Sequence, residues 1–439
     1  MDLTEQQLAA IEMFKQYDVM VLTGGPGTGK TTTCKAIMEM VKKQGKSIAL
    51  CAPSGKAAKR LSEATGEVAT TIHKLLEARM FGETFMFMRD HKAPLDQNVI
   101  ICDEVSMVSN DLMARLLEAT KAGKKVLFVG DQDQLPSVGA GAVLRDFLAS
   151  GVIPHVELTI IHRNTGRIVS ACHEIKHGRL YSPSPELDLP YENLRHIEAH
   201  DPQKIVDIIV QLISENIARR GYNPVWDVQV ISPYNERTLM SCENINHVLQ
   251  EKLNPNKPIV DDRGKQYLFK PGDKAIQTKN EIVRHEHSSD YVVNGDLCEI
   301  ISIEKRQVLA KFFYPDRTVV LDRVANHLKL AYAITCHKFQ GSEAPVVIIP
   351  VHSSFAYFVT RPWIYTAISR AQEICITVGQ FSAIKKAIEK AHSNKRITKL
   401  EEKLRATLRQ QPQPGKYNRE GRLKRVVKKV PLPAMEPAF

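Results

Sequence analysis

Val19-Met20-Val21-Leu22-Thr23-Gly24-Gly25-Pro26-Gly27-Thr28-Gly29-Lys30-Thr31-Thr32 joins an apolar, β-rich run to a glycine-rich turn and then to a helix-compatible stretch. That is the context a phosphate-binding loop requires. Glycines let backbone N–H groups face phosphate oxygens without Cβ clashes, and the start of a helix adds a favourable dipole. Lys30 is expected on the β and γ phosphates and Thr31 on a magnesium ion, with Gly25, Pro26, Gly27, Thr28, Gly29 and Thr32 forming the cradle.

Three further apolar runs flank this one: Ile48 to Ala52, Val99 to Cys102 and Val126 to Val129, each followed by helix-compatible sequence. Alternation of this kind predicts a parallel sheet with crossover helices. In such sheets ligands bind beyond the carboxyl ends of the strands. Asp103 and Glu104 follow one strand directly, so Asp103 is expected to hold magnesium and Glu104 to orient the attacking water. Gln134, in Gly130-Asp131-Gln132-Asp133-Gln134-Leu135-Pro136, would reach the same edge and sense the γ-phosphate.

A second set of strands, Val228 to Ser232, Val346 to Pro350 and Ile374 to Val378, predicts a second α/β domain. Between the sets, residues 262 to 328 carry short strands and tight-turn signals such as Asn294-Gly295, which suggest a small antiparallel barrel. Ala78 to Gln97 reads either as a projecting hairpin or as a surface loop. From Gln410 the chain is rich in proline and charge and reads as a flexible tail with a basic cluster at Arg422 to Lys429.

Hydrophobic residues at 43% and charged residues at 25% exclude a disordered or fibrous chain. No apolar run is long enough to span a bilayer, and the N-terminus lacks a signal-peptide pattern, so a cytoplasmic protein is expected, in a host cytoplasm if viral. Eight cysteines without a C-x-x-C pair read as reduced and buried. The net charge of +11 favours a polyanionic partner, although it also fits a protein kept soluble by its charge.

Taken in order, the motifs resemble superfamily 1 helicases and, within them, the RecD-like group; the compact size resembles the Dda-type phage helicases. LTEQQLAAI is similar to the adenine-recognising Q motif with Gln7 as its glutamine; APSGKAA and TIHKLL resemble strand-contacting motifs; DEVSM and GDQDQLPSVGAG resemble motifs two and three. LTIIHRN places Arg163 at the arginine of motif four, YAITCHKFQGSE resembles motif five, and YTAISRA places Arg370 at the arginine of motif six. Phe339 stands where relatives often carry serine in motif five.

The resemblance implies two RecA-like P-loop motor domains, with a hairpin insertion in the first and a β-barrel insertion in the second. The expected boundaries are 1-77 and 98-155 for the first domain, 78-97 for the hairpin, 156-258 and 330-395 for the second domain, 259-329 for the barrel and 396-439 for a helical, then basic tail. It implies ATP and magnesium in the cleft, Arg163 and Arg370 as arginine fingers, and Gly341 and Glu343 at the nucleotide. Pro53, Ser54, Thr71, His73, Thr335, His337, Lys338 and Gln340 fall at strand-contacting positions.

The implied activity is 5′-to-3′ ATP-dependent unwinding of DNA by a monomer acting on single-stranded and forked substrates, with single-strand-binding or replication proteins as further candidate partners. Two alternatives stay open: an ATP-switched nucleic-acid-binding protein and an RNA helicase.

Overall fold

A computed structural model of the chain describes residues 3–81, 84–160, 166–257, 268–279, 281–284, 289–304, 307–313, 316–321, 327–390, 396 and 398–410. The first unit is a six-stranded sheet in the order Ala69–Thr71, Ile48–Ala52, Val99–Cys102, Lys125–Gly130, Val19–Gly24, His155–Leu158, parallel throughout. Parallel strands covered on both faces need continuous apolar runs, and Val21, Leu22, Ile100, Ile101, Leu127 and Phe128 have no exposed surface. Helix α1 (Glu5–Gln16) and helix α2 (Lys30–Lys43) cover one face through Phe14 and Ile37, together with α3 (Gly55–Thr65) through Leu61. Helices Asn110–Glu118 and Val143–Ser150 cover the other face.

The second unit is a five-stranded parallel sheet ordered Ala333–Thr335, Val228–Ser232, Ala344–Val351, Ala371–Gly379, Leu194–Glu198. A separate antiparallel sheet follows the order Asp316–Leu321, Gln307–Phe313, Leu297–Glu304, Lys274–Gln277, Leu328–Leu330. Its strand Gln307–Phe313 alternates buried and less buried positions, the pattern of a sheet packed on one face. Buried Lys274 ties this sheet to the second unit by donating to Val225 O and Val228 O, both at 3.0 Å.

In the first unit Ala78–Phe81 pairs with Thr84–Phe87 as an antiparallel hairpin, with Phe81 opposite Thr84. Phe87 is half-buried and packs on the first unit's core, which makes it the root of the hairpin.

The segment expected from 396 as helical and then basic begins with a part packed on the first unit. Arg396 Nη1 donates to Gly139 O and Gly141 O, both at 2.8 Å, and the Thr398 hydroxyl bonds Asp146. Helix Leu400–Gln410 then lays Leu400 and Leu404 on the first unit's core. Its apolar residues four apart form one stripe, and burying that stripe fastens the helix. The basic cluster at Arg422 to Lys429 lies outside the described residues. Among the described residues no helix is long and apolar enough to cross a membrane.

Candidate nucleotide cleft and strand-contact face

The phosphate loop is shaped by residues only glycine serves without strain: Gly27 and Gly29 have φ of 72° and 86°. Thr28 Oγ1 closes the turn on Gly25 O at 2.8 Å, and Lys30 Nζ reaches back to Gly24 O at 2.7 Å and Gly25 O at 2.9 Å. Thus Lys30 is held over the loop whose N–H groups cradle an anion. Gly25, Pro26, Gly27, Gly29, Lys30, Thr31 and Thr32 all line one cleft of about 450 Å³. Thr28 is buried beneath it as the turn's brace.

Asp103 and Glu104 enter the same cleft from the end of strand Val99–Cys102. Burial first, and then the Glu104 charge, push the Asp103 carboxyl up to about 6. Two adjacent carboxylates taken from water call for a cation. Glu104 adopts φ 53°, ψ 42°, a left-handed conformation that costs a non-glycine residue about 1 kcal/mol. Such strain is characteristic of residues whose side chain must point one way.

Arg370 comes from the second unit, on the turn between helix Arg361–Ile368 and strand Ala371–Gly379. Only 2% exposed, its guanidinium stands 3.8 Å from Glu104 Oε1, and its Nε has no hydrogen-bond partner. Gln134 also lines the cleft; its Nε2 donates to Asp131 Oδ2 at 3.4 Å and its buried Oε1 is unpartnered. A buried guanidinium N–H and a buried amide oxygen left unmade are costly, and both fit a polar ligand bound there.

Arg60 escaped the sequence reading. It reaches from α3 to Glu343 Oε1 of the second unit at 2.7 Å and to Glu104 Oε1 at 3.7 Å. Burial opposes its charge, yet Glu343, Glu104 and Asp103 together hold its pKa above the ordinary value.

Two expected nucleotide contacts lie off the cleft wall. Gln7 is buried but does not line the cleft: its Oε1 accepts Thr4 N in a capping box, and its Nε2 donates to Gly29 O at 3.4 Å, so its amide props the phosphate loop. Gly341 lies against α3, where a Cβ would come within 3.0 Å of Ser54 Oγ and 3.1 Å of Ala57 Cβ. Arg163 lies outside the described residues.

Polar bonds across the seam join the units around Leu135. Its N–H donates to Thr366 Oγ1 at 2.9 Å and its carbonyl accepts Gln340 Nε2 at 2.8 Å, while Tyr365 O–H donates to Asp131 Oδ2 at 2.7 Å. Gln340, expected on the strand, donates across this seam. The loop carrying Gln134 thus feels any shift of the motif that carries His337 and Lys338.

The remaining strand-contact positions sit at carboxyl ends of strands. Pro53 and Ser54 follow Ile48–Ala52, Thr71 ends the adjacent strand Ala69–Thr71, and His73 lies just beyond it. Ser54 Oγ and Thr71 Oγ1 cap the helices that begin there by accepting Ala57 N and Lys74 N. The His73 ring lies 5.8 Å from Phe87, and burial lowers its pKa. In the second unit buried Thr335 precedes the short helix Cys336–Phe339, which carries His337 and Lys338; burial lowers the pKa of both. His337 neighbours Phe358, ring centroids 6.1 Å apart, and the adjoining Tyr357 is 93% exposed. These two aromatics gave no motif signal, because their exposure depends on the fold.

A glycine-rich loop, a carboxylate pair and a buried arginine from a second parallel sheet define a two-lobed P-loop architecture. Residues 2–193 match an AAA domain and residues 330–378 a UvrD-like helicase C-terminal domain. The chain is 34% identical over 408 residues to the ATP-dependent RecD2 DNA helicase of Deinococcus radiodurans, covering 92% of this chain and 53% of that protein. It is 31% identical over 424 residues to RecBCD enzyme subunit RecD of Mycolicibacterium smegmatis, covering 88% of this chain and 73% of that subunit. The chain thus spans about half the length of the Deinococcus relative and about three quarters of the mycobacterial one. Among solved structures, Bacteroides Pif1 bound to ssDNA shares the fold with a TM-score of 0.52 at 19% identity, covering 88% of this chain and 94% of that one. The chain belongs to the RecD-like superfamily 1 helicases.

Proposed function

We propose that this chain is an ATP-driven motor that unwinds DNA while moving 5′-to-3′ along one strand. The observation that carries the reading is the meeting of Arg370 with Glu104 in the cleft lined by Lys30. Lys30 and the loop N–H groups bind the phosphates, Glu104 orients water and takes its proton, and Arg370 neutralises charge growing on the γ-phosphate. Thr31 and Asp103 are suited to a magnesium ion, which when bound neutralises phosphate charge. Because Arg370 belongs to the second unit, the cleft is complete only when the two units are together, so binding and release of nucleotide alternately close and open them.

The two parallel sheets form the motor domains, 1-77 with 98-158, because His155–Leu158 is an edge strand of the first sheet, and 159-258 with 330-395. The hairpin within 78-97 is the wedge at the fork, and the antiparallel sheet within 259-329 is a barrel-like guide for the strand. Arg163, by its motif, is a second finger. Pro53, Ser54, Thr71, His73, Thr335, His337 and Lys338 face the backbone, while Tyr357 and Phe358 offer stacking surfaces to bases. The names of two relatives, a DNA helicase and a single-strand-bound Pif1, support DNA as the track. Eight free, buried thiols suit a reducing cytoplasm.

The test is strand displacement on duplexes bearing a 5′ or a 3′ single-stranded arm. Wild type is expected to open the 5′-armed substrate when ATP is supplied, and Lys30→Ala to open neither. Rapid hydrolysis without displacement would identify an ATP-switched binder, and stronger stimulation by RNA an RNA motor. Tyr357→Ala and Phe358→Ala should each weaken single-strand binding by about 1–3 kcal/mol with an unchanged salt slope, since stacking releases no counterions; anisotropy titration at several salt concentrations measures both.

A further inference from the structure

Behind the cleft, where α3, the antiparallel sheet and the second unit meet, lies a cavity of about 260 Å³. Arg60 and Glu343 line both spaces, so their 2.7 Å ion pair is the partition between them. On the cleft side that guanidinium stands 3.7 Å from Glu104, which places the partition at the end of the cleft where the γ-phosphate would be cleaved.

The carboxylates of the cavity wall are matched by cations. Glu343 has Arg60, Glu63 has Lys59 at 3.6 Å, and Asp296 has Arg317 at 3.8 Å. Lys56 is left over: its ammonium is sealed from solvent, has no hydrogen-bond partner and lies 5.7 Å from the centre of the Phe339 ring. Burial pushes its pKa down to about 8, against the pull of Asp296. A buried ammonium without an acceptor is costly, and an anion would relieve it. Phe339 supplies an aromatic face to that ammonium.

We propose that this cavity receives the inorganic phosphate released by hydrolysis, with Lys56 as its binding cation and the Arg60–Glu343 pair as the door. The inference rests on the cleft being an ATPase site. A phosphate leaving Glu104 meets the Arg60 fork, which can exchange one oxyanion partner for another. The next cation, Lys56, has no competing acceptor. Hydrolysis itself is unaltered: ATP and water give ADP and phosphate, and only the exit of phosphate is assigned.

Steady-state ATPase of the full chain, with saturating single-stranded DNA and added inorganic phosphate, tests this. Lys56→Met is expected to raise the phosphate concentration for half-inhibition roughly tenfold, the loss of one charge-assisted hydrogen bond, and Lys56→Arg to restore it. Asp296→Asn removes the carboxylate that offsets Lys56 and should lower it, a shift opposite to any general damage. If phosphate does not inhibit wild type, or if Lys56→Met and Asp296→Asn leave half-inhibition unmoved or shift it in the same direction, the proposal is overturned. Absence of hydrolysis by wild type would instead overturn the ATPase reading.

Discussion

Arg370→Ala is expected to lower ATP turnover by about 10³-fold or more, the range found for arginine fingers, while ATP still binds. The reason lies in where the charge sits. Arg370 is nearly sealed from solvent, its Nε has no partner, and its other contacts within the chain are long: 3.4 Å to Ser342 O and to Ser369 Oγ, and 3.8 Å to Glu104. A guanidinium so weakly held is poised for an acceptor that forms later, and in a site shut off from water its effect on a developing oxyanion is large. Arg370→Lys keeps the charge but not the planar fork, so it should recover only part of the rate. Single-turnover hydrolysis with independently measured ATP affinity separates the two effects. A loss confined to ATP affinity would assign Arg370 to ground-state binding.

Glu104→Gln should cut turnover by about 10²- to 10⁴-fold, the range of general-base catalysis, and leave nucleotide bound more tightly. Glu104 is held in a left-handed backbone conformation and faced by two guanidinium groups, Arg60 at 3.7 Å and Arg370 at 3.8 Å. Removing its charge takes the nearby carboxylate from Arg370 and leaves Arg60 with Glu343 alone, which favours the phosphates. The variant should therefore trap ATP and hold the two units together. Turnover within tenfold of wild type would pass the water-orienting role to another residue.

The first unit's side of the cleft was legible because its main residues follow strands, whereas Arg370 precedes one and was picked out by its motif. Lys30, Asp103, Glu104 and Gln134 lie just beyond apolar runs, and strand ends converge on one edge of a parallel sheet. Arg60 was not, since it lies in mid-helix and gains meaning only when folding brings Glu104 and Glu343 to it. Gln7 carries two signals at once: it resembles the glutamine of a motif, and Thr4-Glu5-Gln6-Gln7 is a capping-box pattern that the structure forms. The helix carrying Leu400 and Leu404 was expected, but its docking on the first unit was not, because charge surrounds its apolar stripe. Strand His155–Leu158 went unread because its first residue is exposed and polar; strand pairing, not composition, makes it an edge of the first sheet.

The central claim is that one triphosphate site is built by both units. Its most direct measurement is the affinity for ADP with an aluminium fluoride mimic of the transferring phosphoryl group, compared with the affinity for ADP alone, in wild type and Arg370→Ala. Wild type should bind the mimic far more tightly, and the variant should lose most of that preference while binding ADP as before. An unchanged preference in Arg370→Ala would mean that the second unit takes no part in the chemistry, and the shared site would be contradicted.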